Sequence, residues 1–178
     1  GCAPALPPQQ FTPPTWTPSP SPTPPEGAPI GWQPDWTEDQ IAVARIVDAY
    51  IDLTTRVAHD PAGVSLDEWS TVTDEPEWSR LIQWHESMIG LGYYGTGGVQ
   101  IDRRRVESET VSDKGRRQFV VVECDDVSGQ AVFDSDGQPL ESQAETPSPE
   151  RFVSRYTVQW VDVANNWLVI MRNQVGTC

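Results

Sequence analysis

The sequence predicts an α+β domain in which helices come first and a curved, mainly antiparallel sheet follows, carried on a proline-rich N-terminal tether. Three observations lead there. Apolar residues recur at helical spacing only between about residues 37 and 89. From about residue 99 onward they alternate, with turn signals between the runs. Residues 1–34 hold twelve of the 17 prolines, no Lys or Arg, and one charge, Glu26. Such a segment cannot bury a core. The division is therefore a tether at 1–34 and a domain at 35–178, and a chain of 178 residues has room for one core of ordinary size.

In the tether, Pro alternates with Thr and Ser, which favours polyproline II. At about 3.1 Å per residue, roughly 28 residues would hold the domain on the order of 80 Å from an anchoring point. A spacer is the preferred reading, over a ligand for proline-binding modules or a glycosylated stalk.

Thr37-Glu38-Asp39-Gln40 is a capping box. Behind it Ile41, Ala44, Val47, Ile51 and Thr54 recur at helical spacing, widened by Val43, Ile46, Tyr50, Leu53 and Val57. Asp60-Pro61-Ala62-Gly63 ends that helix. A short second helix starts at Ser65, capped with Glu68 and anchored by Trp69. A third follows Asp74-Glu75-Pro76-Glu77, with Trp78, Leu81, Ile82, His85, Met88 and Ile89 on one face. Five glycines between 90 and 98 then mark a loop around Tyr93-Tyr94. It follows a helix and leads into a strand, the reverse of what a phosphate loop needs.

Strands are expected at 99–111, 117–126, a short hairpin around 130–141, 151–163 and 166–175. Asp113-Lys114-Gly115, Asp136-Gly137 and Asn165-Asn166 supply turns. This strand order tests the cysteines. The second strand ends near Cys124, and the fifth runs back to the same end of the sheet and Cys178. A Cys124–Cys178 disulfide follows, which needs an oxidising compartment. Cys2 is left over. It stands after the small Gly1 and before the tether, as in a bacterial lipobox, so Cys2 is the expected lipidation site and the membrane an expected partner.

The net charge of −14 repels polyanions, which disfavours nucleic acid as a partner. Arg103-Arg104-Arg105 with Arg116-Arg117 is the local exception. It reads as a solvated strand face paired with Glu107, Glu109 and Glu123 rather than a basic ridge. Arginine outnumbers lysine eleven to one, as high-GC coding would give. No run of about 18 apolar residues suggests a membrane span.

Three helices followed by a long curved sheet resemble the NTF2-like (cystatin-like) α+β cone. Val122-Glu123-Cys124-Asp125-Asp126-Val127-Ser128-Gly129, Asp134-Ser135-Asp136-Gly137-Gln138-Pro139, Trp167-Leu168-Val169 and a terminal Cys178 resemble a group of exported actinobacterial lipoproteins, mostly without assigned activity. The resemblance spans about residues 36–178, and a shared fold brings little function with it.

NTF2-like folds often enclose a pocket, used by isomerases, dehydratases and epoxide hydrolases, which need a carboxylate or imidazole poised in a dry cavity. The resemblance makes Tyr50, His85, Asp102, Glu123, Arg155 and Tyr156 the residues to inspect, with His85, Tyr50 and Asp102 as the weak catalytic candidates. His85 on an apolar helix face reads first as a hydrogen-bonded core residue. Asp102 and Arg103 are adjacent on a strand and so face opposite ways. His59 falls at a helix end, in solvent. Asp134-x-Asp136-Gly137 lacks the further ligands of a calcium loop and reads as a turn. With two cysteines paired, no zinc cluster is left, so neither metal nor cofactor is expected. Trp69, Trp78, Trp160 and Trp167 are expected in the core, and Trp32 and Trp36 against the first helix.

The expected function is a cell-envelope lipoprotein whose domain binds a protein partner or small ligand without catalysis. The alternatives are a subunit of an envelope transport, conjugation or phage-exclusion system, and a pocket enzyme of the isomerase or dehydratase kind.

Overall fold

The capping box at Thr37 forms as its residue types dictate. Thr37 Oγ1 accepts from the Gln40 backbone N–H at 3.2 Å, and Gln40 Oε1 accepts from the Thr37 N–H at 2.8 Å. Helix α1 then runs Glu38–His59. Its buried stripe is Val43, Ala44, Val47, Tyr50, Leu53 and Val57, so the helix is turned towards the residues expected only to widen its apolar face. The computed structural model describes residues 22–140 and 150–178. Cys2 and Trp16 lie outside them.

Asp60 ends α1, and its carboxylate caps a 3₁₀ turn at Pro61–Gly63. The capping box at Ser65 and Glu68 is present too, but it opens a 3₁₀ segment, Leu66–Thr71, rather than an α-helix. Six residues are too few to propagate an α-helix against its nucleation cost. Trp69 is wholly buried there. Helix α2 spans Glu77–Leu91 and ends at Gly92, whose φ of 66° suits a left-handed cap. Leu81, His85 and Met88 are buried, whereas Ile89 is exposed.

Strand β1 (Tyr94–Thr96) lies within the glycine-rich stretch expected to be loop. It pairs antiparallel with β5 (Ala131–Phe133) in a separate two-stranded sheet. The hairpin expected around 130–141 is present as an antiparallel bridge between Phe133 and Pro139, with the Leu140 N–H donating to the Val132 carbonyl and the Asp134 N–H to that of Gln138. The ring of Tyr94 stacks on Phe133 at 5.3 Å, a contact between segments far apart in sequence. The expected strand 99–111 divides into β2 (Gln100–Val106) and β3 (Thr110–Val111). Between them Glu107 turns to Arg105 and Arg155, and Glu109 to Arg117.

Strands β4 (Arg117–Asp126), β6 (Arg151–Val161) and β7 (Asn166–Thr177) complete the main sheet. Its order is β2-β4-β6-β7, all antiparallel, with β3 also on β4. The helical segments pack on one face of this sheet around Trp69, Leu81, Phe119, Val121, Val158, Trp167 and Val169. Trp36, Trp78, Trp84 and Trp160 are partly buried against that core. Cys124 pairs opposite Val153, and Thr177 opposite Phe152, next to it on β6. The Cys124 and Cys178 sulfurs accordingly sit at bonding distance, 2.08 Å, with Cα atoms 6.0 Å apart.

The chain ahead of α1 is laid on the domain from Gly27 onward, short of the boundary expected at residue 35. Arg45 Nε donates to the Gly27 carbonyl at 3.1 Å, and the Ile30 N–H donates to Asp48 at 3.1 Å. Gly31, at φ 73°, passes so close to β2 that a Cβ there would stand 2.8 Å from Arg104 Cβ.

A buried charge network and a cavity on the inner sheet face

Inward positions of the sheet change character along its length. Towards Trp167 they are apolar, with Phe119, Val121, Val158 and Val169 buried together. Towards the cysteines they are polar. Arg104 stands opposite Glu123, Glu123 opposite Ser154, and Tyr156 opposite Arg172.

Two β-bulges decide who belongs to this row. A shift between Ile101 and Arg103 leaves Asp102 unpaired, and it sits exposed in an ion pair with Arg151. A shift in β7 opposite Thr157/Val158 reverses the alternation after Val169 and brings Arg172 inward.

Arg104 Nε donates to Glu123 Oε2 at 2.7 Å. Its Nη1 donates to Asp48 Oδ1 on α1 at 2.6 Å and to the Ile30 carbonyl at 3.0 Å. Ser154 Oγ donates to Asp125 Oδ2 at 2.6 Å. Arg172 completes the row, its Nη2 reaching Ser154 Oγ at 3.3 Å and Asp125 Oδ2 at 3.4 Å. Its Nε donates to the Tyr156 oxygen at 3.2 Å. From the helices, Tyr50 donates to Glu77 Oε1 at 2.6 Å, and Arg80 closes on the same carboxylate. Among the described residues three buried polar atoms lack partners: Arg104 Nη2, Glu123 Oε1 and Asp125 Oδ1.

Burial pushes the Glu123 carboxyl up to about 7; Arg104 opposes the rise and Asp125 adds to it. Burial likewise raises the phenols of Tyr50, with Glu77 beside it, and of Tyr156. Both stay neutral hydrogen-bonding groups near pH 7. Burial works against the charge on Arg172, but Tyr156, Tyr50 and Asp125 outweigh it and hold the guanidinium charged.

Beside this row lies a cavity of 240 Å³ between α1, the β1–β5 pair and the inner faces of β6 and β7. Ile51, Ala58, Trp84, Met88, Val132 and Phe152 give it apolar walls. Tyr50, Tyr156, Arg172 and Gln174 supply polar groups. Among the described residues Arg172 is the one charged side chain on its lining, and its guanidinium lies 5.8 Å over the Tyr156 ring.

Of the residues singled out from sequence, Tyr50 and Tyr156 reach this cavity. His85 does not. Trp69 Nε1 donates to its Nδ1 at 3.0 Å, so its proton is on Nε2, which lies 2.6 Å from the Pro61 carbonyl. Both nitrogens are thereby taken up in tying the 3₁₀ turns to α2. Glu123 lies in the charge row, not on the cavity lining, and Arg155 pairs with Glu107 away from it. His59 is exposed, with Nε2 2.5 Å from the Gly97 carbonyl. Asp134 caps its own turn, accepting from the N–H groups of Asp136 and Gln138. Of the arginine cluster, Arg105 and Arg117 pair with Glu107 and Glu109 at the surface, whereas Arg104 is buried rather than solvated. Arg172 and Asp125 were not among the sequence candidates.

Among the described residues no Asp, Glu or His side chain lines the cavity. The arrangement is suited to binding. It offers an apolar body a dry wall, and offers its polar end a guanidinium and two phenols. Among the described residues no group of three or more His, Cys, Asp or Glu side chains could hold a metal ion. Nor is any described helix long and apolar enough to cross a membrane.

No family model and no curated protein matches the chain. Among solved structures it is similar to the crystal structure of the intermembrane space region of the chloroplast protein ARC6. Identity is 16% and the TM-score 0.50, over 75% of this chain and 93% of that one. At that identity the likeness concerns the fold alone: helices packed on one face of an antiparallel sheet.

Proposed function

We propose that this chain is a lipid-anchored envelope protein whose domain is an NTF2-like cone that binds a small ligand without transforming it. The observation that carries the reading is the cavity between α1 and the inner sheet face, apolar on its walls and polar where Tyr156 and Arg172 meet it. A pocket enzyme would need a group near its titration point at the reacting centre. The phenols that reach the cavity are instead pushed up by burial. Anchoring at Cys2 is supported by the cysteine arithmetic, because Cys124 and Cys178 are each other's partners. The proline-rich segment ahead of Gly27 then serves as the spacer.

The cavity is tested with the amphipathic dye 1-anilinonaphthalene-8-sulfonate. The folded protein should enhance its fluorescence saturably, and Thr54→Phe, which fills the cavity from α1, should abolish the enhancement while the circular dichroism stays native. A folded wild-type protein that leaves the dye dark, or a filled variant that binds as well, sinks the reading.

A further inference from the structure

We infer that the cavity takes an amphipathic monoanion, a short- to medium-chain carboxylate, with its head group on Arg172. The inference rests on the ligand-binding reading above and names the ligand's chemistry. The chain carries a net charge of −14, yet among the described residues no Asp or Glu lines this cavity. A carboxylate on the wall would oppose an anionic ligand in a low dielectric.

Arg172 is also built as a receptor. Its Nε is fixed by Tyr156, and its Nη2 by Ser154 and Asp125. Among the described residues Nη1 has no hydrogen-bond partner, and the side chain keeps 24% exposure. A guanidinium held on one edge presents the other without further loss of rotamer freedom. Tyr156, Tyr50 and Gln174 share the lining and add neutral polar groups.

Size and wall chemistry set the rest of the molecule. A volume of 240 Å³ falls under the roughly 300–1,000 Å³ typical of drug-sized ligands. The aliphatic and aromatic walls of Ile51, Met88, Val132 and Phe152 suit an unbranched hydrocarbon tail.

Calorimetric titration of the wild-type protein at pH 7 with octanoate and with octanol, which share a tail and differ in charge, tests the inference. Octanoate should bind at least tenfold more tightly than octanol. The double variant Arg172→Gln, Asp125→Asn removes the receptor without leaving Asp125 charged and unpaired, and should bring octanoate down to the octanol level. Arg172→Lys should retain part of the preference. Equal binding of the two probes, or full octanoate affinity in the double variant, overturns the carboxylate assignment and leaves the cavity reading standing. So does dye binding without octanoate binding. If the dye also fails, the cavity reading falls with it. The wild-type comparison of the two probes needs no variant to fold.

Discussion

Arg104 and Glu123 face each other across β2 and β4, Nε to Oε2 at 2.7 Å, with both side chains wholly out of solvent. Such a pair has been taken from water at a cost its mutual attraction roughly offsets, so removing one member does more harm than removing both. Arg104→Met should destabilise the domain by about 3–5 kcal/mol in urea unfolding, because it strands a buried carboxylate and releases Asp48. Arg104→Met with Glu123→Leu should recover most of that loss. Equal instability in single and double variants would show that the packing, not the charge, is at issue.

The same carboxyl gives stability a pH signature. Its folded value near 7 lies above the ordinary range, so the folded state binds the extra proton between about pH 4.5 and 7. The stabilisation from this group is full below that window and fades as pH rises through it. Its slope is at most about 1.4 kcal/mol per pH unit. Exposed Glu68 and Glu109, held down by bonds to Arg56 and Arg117, act in the opposite sense and lose their effect on acidification. Glu123→Gln isolates the buried carboxyl. The difference between wild-type and variant unfolding curves should slope across pH 5–7 and be flat above pH 8; a flat difference throughout refutes the assignment.

His85 is a test of structure against catalysis. His85→Ala opens a cavity and orphans the Trp69 indole N–H and the Pro61 carbonyl, for an expected loss of about 2–5 kcal/mol. Dye and octanoate binding should survive in whatever fraction remains folded. Lost binding with unchanged stability would return His85 to the ligand site.

Non-reducing peptide mapping should recover Cys124 linked to Cys178. Replacing both by serine removes a cross-link over a sequence separation of 54 residues and should cost about 4 kcal/mol on the chain-entropy estimate. Both thiols alkylating in the non-reduced native protein would contradict the pairing.

Intact-mass analysis of protein extracted from its native membranes should show a diacylglyceryl group on Cys2. An unmodified cysteine there would remove the anchor from the proposal and leave the cavity untouched.

Much of this fold could be read locally. The capping boxes at Thr37 and Ser65, the alternation in β4 and the β6–β7 turn at Asn165 are all written in neighbouring residues. Strand β1 was not, because Tyr94-Gly95-Thr96 is too short to carry a period of its own. Its pairing with β5, which falls within the hairpin expected around 130–141, depends on Tyr94 meeting Phe133. The cavity was half legible for a related reason. Simple alternation places Tyr156 inward with Phe152, Val158 and Trp160. Carried down β7 from Trp167 and Val169 it places Arg172 outward, and only the bulge reverses it. Alternation likewise puts Asp102 on the side of Arg104, until the bulge before Arg103 turns it out. Single inserted residues thus decided which charges entered the interior.

Gly31 and Ile30 lie on β2 and α1 ahead of the first helix, strapped by Arg104 and Asp48. A pull on the chain from its N-terminal side would therefore load the Arg45, Asp48 and Arg104 contacts before it reached the cap at Thr37. The strap would then act as a mechanical fuse, giving up a few hydrogen bonds before the cap of the helix on which the cavity is built.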